Sequence, residues 1–344
     1  MKALKIIAAA AVAVVALAVA AAGWRYLRDN RLPNFTRSAE VYVYPGATAG
    51  EVLEQVCEDA GVRSRRSLER VFRKKQVERY LTPGHYTVTP ENSSVYVARM
   101  LNNGWQTPVK VTLSGNLRIK GNIAAKISSQ LLVDSASVRR ALSDNALLSR
   151  YGFDSVSVFA LLMPATYEMY WTASAEDFLD RQKQAYDAFW TPDNDAKAEA
   201  LGLSWLEVST LASIVEAETN VEAEMPLIAG VYLNRLRIGM LLQADPTVAY
   251  CFDYKLTRVL HKHLEFDSPY NTYKYPGLPP GPICVPSRAA LEAVLNPDYG
   301  GEPGRGNLYF CANPDFSGSH LFARTLTEHN RNAAAFRRAL DSRR

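Results

Sequence analysis

From Ile6 to Trp24 the chain carries no charged residue and consists almost entirely of Ala, Val, Ile and Leu. At 1.5 Å rise per residue, a helix over this run is about 28 Å long, close to the ~30 Å hydrocarbon core of a bilayer. Lys2 and Lys5 precede it. Trp24 and Tyr26 suit the far interface, and Arg25, Arg28 and Arg31 follow, so flanking charge does not choose an orientation. One reading is a signal anchor over residues 6–24 with residues 1–5 in the cytoplasm. The other is a cleaved signal peptide with Ala18-Val19-Ala20 as a small-residue site. The length of the apolar run favours the anchor. Either reading puts the rest of the chain outside the cytoplasmic membrane.

That remainder is ordinary globular material, with 48% hydrophobic and 22% charged residues over 344, enough for two domains. The net charge of +4 does not point to nucleic acid. A local basic excess runs from Arg63 to Arg79, where Arg65, Arg66, Arg70, Arg73, Lys74 and Lys75 outnumber Glu69 and Glu78. It reads as a solvated helix face, with contact to anionic lipid or an acidic polymer as the alternative. Cys57, Cys251, Cys284 and Cys311 lack CxxC spacing, and their pairing stays open. His261 and His263 have no supporting Cys or acidic motif, so no metal is expected.

Periodicity predicts a mixed α+β chain. Glu40–Tyr44 alternates as a strand, Thr48 caps a helix through Ala60, and a second helix covers 67–80. Pro83-Gly84 turns into a strand at His85–Thr89, completing a small βααβ unit. Ser93–Leu101 adds a helix. Val109–Leu113 leads as a strand into a larger domain with helices near 120–131, 135–148 and 175–198. Residues 159–168 form an apolar strand or loop, and residues 243–250 and 270–273 are expected to be non-helical.

Within the larger domain, Ser204 and Glu207 make a capping box for a helix that Thr219 and Asn220 end. Val208, Leu211, Ile214 and Val215 share one stripe of that helix, and Glu218 lies near its middle. A carboxyl on an apolar face resists ionisation, and a protonated carboxyl near neutral pH is a general acid. The alternative is a helix-end carboxylate held by a backbone amide or by Arg235 or Arg237. Downstream, Gln243, Asp245, Thr247, Tyr250, Tyr270, Asn271 and Tyr273 are candidate substrate-binding residues. Loops rich in Tyr, Asn and Thr suit stacking on, and hydrogen bonding to, sugars. Asp245 is the natural second carboxylate for a hydrolytic glycosidase.

Leu211–Thr219 is followed in order by Asn234–Met240, Gln243, Asp245–Val248, Tyr270–Tyr273, Gly277–Ile283 and Pro286-Ser287. Leu308–Phe310, His320–Phe322 and Glu328–Asn330 complete the series. This series, over about 205–330, resembles the endolytic murein transglycosylase family (YceG-like). The resemblance implies a membrane anchor, a LysM-like module at 40–105 and a transglycosylase catalytic domain at 109–340. It makes Glu218 the catalytic acid and then base, with no cofactor or metal. The substrate would be the β-1,4 bond between N-acetylmuramic acid and N-acetylglucosamine inside nascent peptidoglycan strands. The product would be a 1,6-anhydromuramyl end, and peptidoglycan synthases are implied partners. A hydrolytic muramidase and a non-catalytic wall-binding scaffold are the alternatives. The sequence departs from the family at Ala160 and Ala165, where acids are common, and at Ala244, where a small hydroxyl residue is usual.

Overall fold

The computed structural model describes residues 2–115 and 117–343; Met1, at the expected cytoplasmic end, lies outside the described residues. The chain divides into two compact units. One runs from the amino terminus to Lys110 and adds Gln130–Leu132 and Glu168–Ala173; the other comprises Val111–Ser129, Val133–Tyr167 and the chain from Ser174 onward. The architecture is mixed α+β.

The first unit opens with α1 (Lys2–Asn30), whose apolar residues from Ile6 to Leu27 are exposed and which is long enough to cross a membrane. β1 (Ala39–Val43) and β2 (Gly84–Val88) pair antiparallel, Ala39 opposite Val88. Ala39, Val41 and Val43 alternate inward, as a strand with one buried face requires. Between the strands lie α2 (Ala49–Ala60), α3 (Arg65–Lys74) and α4 (Val77–Tyr80). α2 begins at a Thr48–Glu51 capping box. The single helix expected over 67–80 is broken at Gln76, which adopts a left-handed conformation with φ 53. In an unbroken helix Val77 would fall about 180° from Leu68. The break re-aims it, and both are fully buried. α5 (Ser94–Asn103) closes a core that includes Phe35, Val56, Tyr86 and Leu101.

Onward from there come β3 (Val109–Thr112), α6 (Lys120–Ser128), α7 (Ser135–Ala141), α8 (Asn145–Ser149), α9 (Val158–Leu161) and β4 (Thr166–Met169). They are followed by α10 (Ala175–Phe189), α11 (Pro192–Leu201) and α12 (Trp205–Glu218). After a 3-10 turn at Glu222–Glu224 come α13 (Met225–Arg237), α14 (Asp245–Cys251), α15 (His261–Leu264) and α16 (Arg288–Leu295). β5 (Tyr309–Ala312) and β6 (His320–Ala323) form an antiparallel hairpin, and α17 (Leu326–Asp341) packs on it.

Two expected helices prove to be pairs. Asp144 caps a new helix inside 135–148, and Thr191 followed by Pro192 restarts the chain inside 175–198. The non-helical reading of 243–250 is also corrected. Asp245 and Pro246 open α14, because proline and an acid are both favourable in a first helical turn. α12 is the hub of the second unit. Every residue from Val208 to Val215 is buried, Ser209, Thr210 and Ser213 included, so its buried surface is a full circumference rather than a stripe. All four cysteines are free thiols.

Candidate active site

α12 starts where the sequence requires. The Ser204 hydroxyl accepts from Glu207 N and the Glu207 carboxylate accepts from Ser204 N. Thirteen residues on, Glu218 occupies the last turn, before Thr219 turns to extended backbone (φ −143, ψ 147). The Thr219 hydroxyl then accepts from Val221 N. Two residues earlier, Glu216 accepts from the Ser287 amide, which fastens α12 to the start of α16. Glu216 is thus used in packing, whereas Glu218 opens into a cavity of about 350 Å³.

α13 contributes Tyr232 and Arg235 to the cavity wall and ties its other parts together. Tyr232, 1% exposed, donates its hydroxyl proton to Glu218 Oε1 at 2.6 Å. Asn234 Nδ2 donates to Asn307 O at 2.9 Å, and its Oδ1 accepts from Gly304 N at 2.6 Å. Arg235 donates from Nε to Leu308 O at 2.7 Å and from Nη1 to Leu242 O at 2.5 Å. One helix therefore holds both the strand β5 and the loop bearing Gln243. Gly230, on the same helix, permits close approach of the Asp298-Tyr299 backbone, since a Cβ there would meet Asp298 O at 2.0 Å. The hairpin is held a second time by the Glu224 carboxylate, which accepts from His320 N at 2.7 Å and pairs with His320 Nδ1 at 2.9 Å.

Burial is the main influence on Glu218 and pushes its carboxyl up to about 7. The Tyr232 hydrogen bond opposes the rise, Asp245 adds to it, and Arg235 weakly opposes it. Among the described residues no arginine bonds to this carboxyl: two of the Arg235 donors go to backbone carbonyls and Arg237 lies over the Tyr299 ring. The helix-end ion pair weighed from the sequence is therefore not what this site contains. Tyr273 donates to Asp245 Oδ1 at 2.7 Å, and burial followed by Asp245 raises the phenol.

Of the residues singled out from the sequence, Glu218, Gln243, Asp245 and Tyr273 line this one cavity. The others lie outside its wall. Thr247 is fully buried, donates to Ala244 O and meets the Thr272 hydroxyl. Asn271 is fully buried and donates to Leu264 O and Phe266 O. Tyr250 and Tyr270 pack on each other with ring centroids 4.5 Å apart. Thr247 and Asn271 thus satisfy backbone groups beside Asp245, at the start of α14, and Tyr273.

Tyr232, Tyr309, Phe310, Leu326 and His329 complete the wall, and sequence reasoning gave none of them a role. Tyr232 lies on the helix after Glu218, and nothing in its spacing announces the contact. His329 stacks on Tyr309 with ring centroids 5.3 Å apart. Among the described residues its Nδ1 is buried without a partner, and the ring lines the cavity. Burial, then Arg235, hold this imidazole below its usual range, which favours the neutral ring. Size alone would have chosen a different place. A cavity of about 750 Å³ at the start of α12, walled by Tyr151, Phe153, Tyr186 and Trp205, contains none of these residues.

Comparison with known proteins shows the family. The YceG-like family model matches residues 41–335. An endolytic murein transglycosylase of Bacillus subtilis is 40% identical over 49% of this chain and 45% of its own length. Another, of Streptococcus pneumoniae, is 27% identical over 91% of this chain and 61% of its own. The chain thus spans about half the length of these curated relatives. The crystal structure of a yceG-like protein from Listeria monocytogenes superposes with a TM-score of 0.55 at 27% identity, covering 86% of this chain and 98% of that one.

Proposed function

Because the chain belongs to the YceG-like family, we propose that it is an endolytic peptidoglycan lytic transglycosylase with Glu218 as its acid and base. The observation that carries this reading is a carboxyl pushed up to about 7, bonded by a phenol and, among the described residues, by no cation, at the wall of an open cavity. Near neutral pH a large fraction of it holds the proton that a leaving glycosidic oxygen needs. Glu218 gives that proton to the oxygen as the bond to the muramyl anomeric carbon breaks. The carboxylate left behind takes the proton of the muramyl 6-hydroxyl, whose oxygen closes on the anomeric carbon. No water is consumed, and the strand ends in 1,6-anhydromuramic acid. Tyr232 steadies the carboxylate between the two steps, and His329 and Tyr273 are available to sugar oxygens.

Hydrolysis is the second reading, and one observation favours it. Asp245 lines the same cavity and is near enough to raise Glu218, so a second carboxylate is available to activate water. The two readings part on their products. Isolated sacculi are digested with the chain and the fragments weighed by mass spectrometry. Anhydromuramyl ends, absent with Glu218→Gln, support the lytic reading; reducing muramic acid ends would replace it with hydrolysis. If Glu218→Gln cleaves as well as the parent, the catalytic assignment fails. A variant that stops cleaving yet retains full function in cells would leave the scaffold reading in its place.

In this account α1 anchors the chain in the cytoplasmic membrane, with the second unit on the outer side beside nascent strands. The antiparallel βααβ arrangement of β1 to β2 supports a LysM-like module over 40–105, ahead of a catalytic domain over 109–340. Family likeness makes peptidoglycan synthases the partners.

A further inference from the structure

The basic excess seen in the sequence between Arg63 and Arg79 takes no part in the chemistry above. Its place in the first unit gives it one. The apolar run of α1 ends at Trp24, and Asp29 follows five residues later, about 8 Å further along the helix. A bilayer is ~30 Å thick in hydrocarbon and ~40–45 Å with headgroups, so each headgroup layer is roughly 5–8 Å deep. With α1 inserted, Asp29 stands at the outer edge of that layer.

Asp29 is where α3 is attached. Its carboxylate, 9% exposed, accepts from Arg70 Nε at 2.9 Å, Arg70 Nη2 at 2.6 Å and Ser67 Oγ at 2.7 Å. This bidentate clamp fixes the depth of α3 relative to the bilayer. Arg66 lies four residues before Arg70, and Arg73 and Lys74 three and four after it, so all share the face that meets α1. These three are exposed, as are Arg25 on α1 and Arg31 just beyond it.

The acids that could neutralise this face are already engaged. Glu54 and Glu69 both pair with Arg65, Asp29 pairs with Arg70, and Glu78 accepts from Ala49 N. Among the described residues, Arg25, Arg31, Arg66, Arg73 and Lys74 form no ion pair with any carboxylate.

We propose that this face of α3, with Arg25 and Arg31, docks on the anionic phospholipid headgroups of the leaflet that α1 leaves. The proposal rests on the anchoring of α1 described above. Each cation near an anionic lipid surface favours contact roughly fivefold, and the effect fades within a Debye length of ~8 Å. Cations within that reach of the headgroups therefore act together, and they limit rotation of the first unit about α1.

The test uses the full chain in lipid nanodiscs of phosphatidylcholine mixed with phosphatidylglycerol, with a trace of either lipid in photoactivatable form. After illumination and proteolysis, labelling of residues 61–79 is measured by mass spectrometry. The expected result is several-fold more labelling from the anionic lipid than from the zwitterionic one. That excess is lost in Arg66→Glu/Arg73→Glu and falls at high salt. Both substitutions are at exposed positions, and an unchanged circular dichroism melt verifies the fold. Equal labelling by the two lipids, or an excess that survives charge reversal, overturns the docking face. A chain that fails to enter nanodiscs overturns the anchor and this inference together, while sacculus digestion tests the enzymatic reading separately.

Discussion

Asp29 and Glu218 are carboxylates near the ends of the helices α1 and α12, each withdrawn from solvent, and they have opposite surroundings. Asp29 receives a guanidinium fork and a serine hydroxyl, so its charge is matched where it is buried. Glu218 receives one phenol, while the nearest guanidinium is spent on backbone carbonyls. The first arrangement fixes an ionised group as a structural clamp. The second leaves the ionised form under-compensated, so the group is poised to exchange a proton. Burial alone does not separate structure from chemistry here; compensation does.

The largest effect expected from disturbing this contrast is at Glu218. Glu218→Gln should lower strand cleavage by about 10²–10⁴-fold, the usual contribution of general acid–base catalysis. The same variant should be the more stable protein at alkaline pH. Below about pH 4.5 the carboxyl holds its proton both folded and unfolded, and contributes no difference. As pH rises from there to about 7 the folded state keeps a proton the unfolded state has lost, so wild-type stability declines, and above 7 the full penalty remains. Urea melts should show a gain on the order of 2 kcal/mol for the variant at pH 8 and none at pH 4. A variant less stable at pH 8 would mean that the ionised carboxylate is compensated after all.

At the other carboxylate, Arg70→Met should destabilise the first unit by on the order of 2 kcal/mol, because Asp29 is left without its cation. The guanidinium side chain is 39% exposed, which keeps the figure below that for a fully buried pair. Adding Asp29→Asn should recover part of the loss, and cleavage of soluble glycan should be unaffected by either change. Thermal unfolding of the double-mutant cycle measures the coupling, and additive losses would remove the clamp from this account.

Tyr232→Phe is a finer probe. The phenol's hydrogen bond lowers Glu218, so its loss should raise that carboxyl further and move the alkaline limb of kcat/KM to higher pH. The rate at the optimum should fall roughly tenfold, the cost of one hydrogen bond to a charged intermediate. An unmoved limb would show that Tyr232 only packs. The smallest effect belongs to His329→Phe, which keeps the stack on Tyr309 and removes the ring N–H. A two- to tenfold fall in kcat/KM, about one hydrogen bond, is expected, with His329→Gln retaining most of it. Equal losses in both variants would exclude a donor role.

Local signals made much of this legible. The uncharged run marked α1, the Ser204–Glu207 box marked the start of α12, and the Thr219-Asn220 break marked its end. Where local signals are ambiguous the reading slipped. Pro192 and Pro246 were passed over as helix starts, although proline serves in a first turn as readily as in a loop. Thr247 and Asn271 have the polarity of ligand-binding residues, yet that polarity satisfies buried backbone. Tyr232 and His329 are beyond the reach of local signals because the approach of helix to helix and of helix to strand decides their contacts, and no periodicity encodes it. The Asp29–Arg70 clamp, spanning forty-one residues of sequence, was hidden for the same reason.

The most direct test of the central claim is a ¹³C NMR titration of the Glu218 side-chain carboxyl in the full chain, assigned by its loss in Glu218→Gln. An uncompensated acid should titrate near 7, and higher still in Tyr232→Phe. A midpoint in the ordinary carboxylate range, near 4.5 and indifferent to Tyr232, would contradict it.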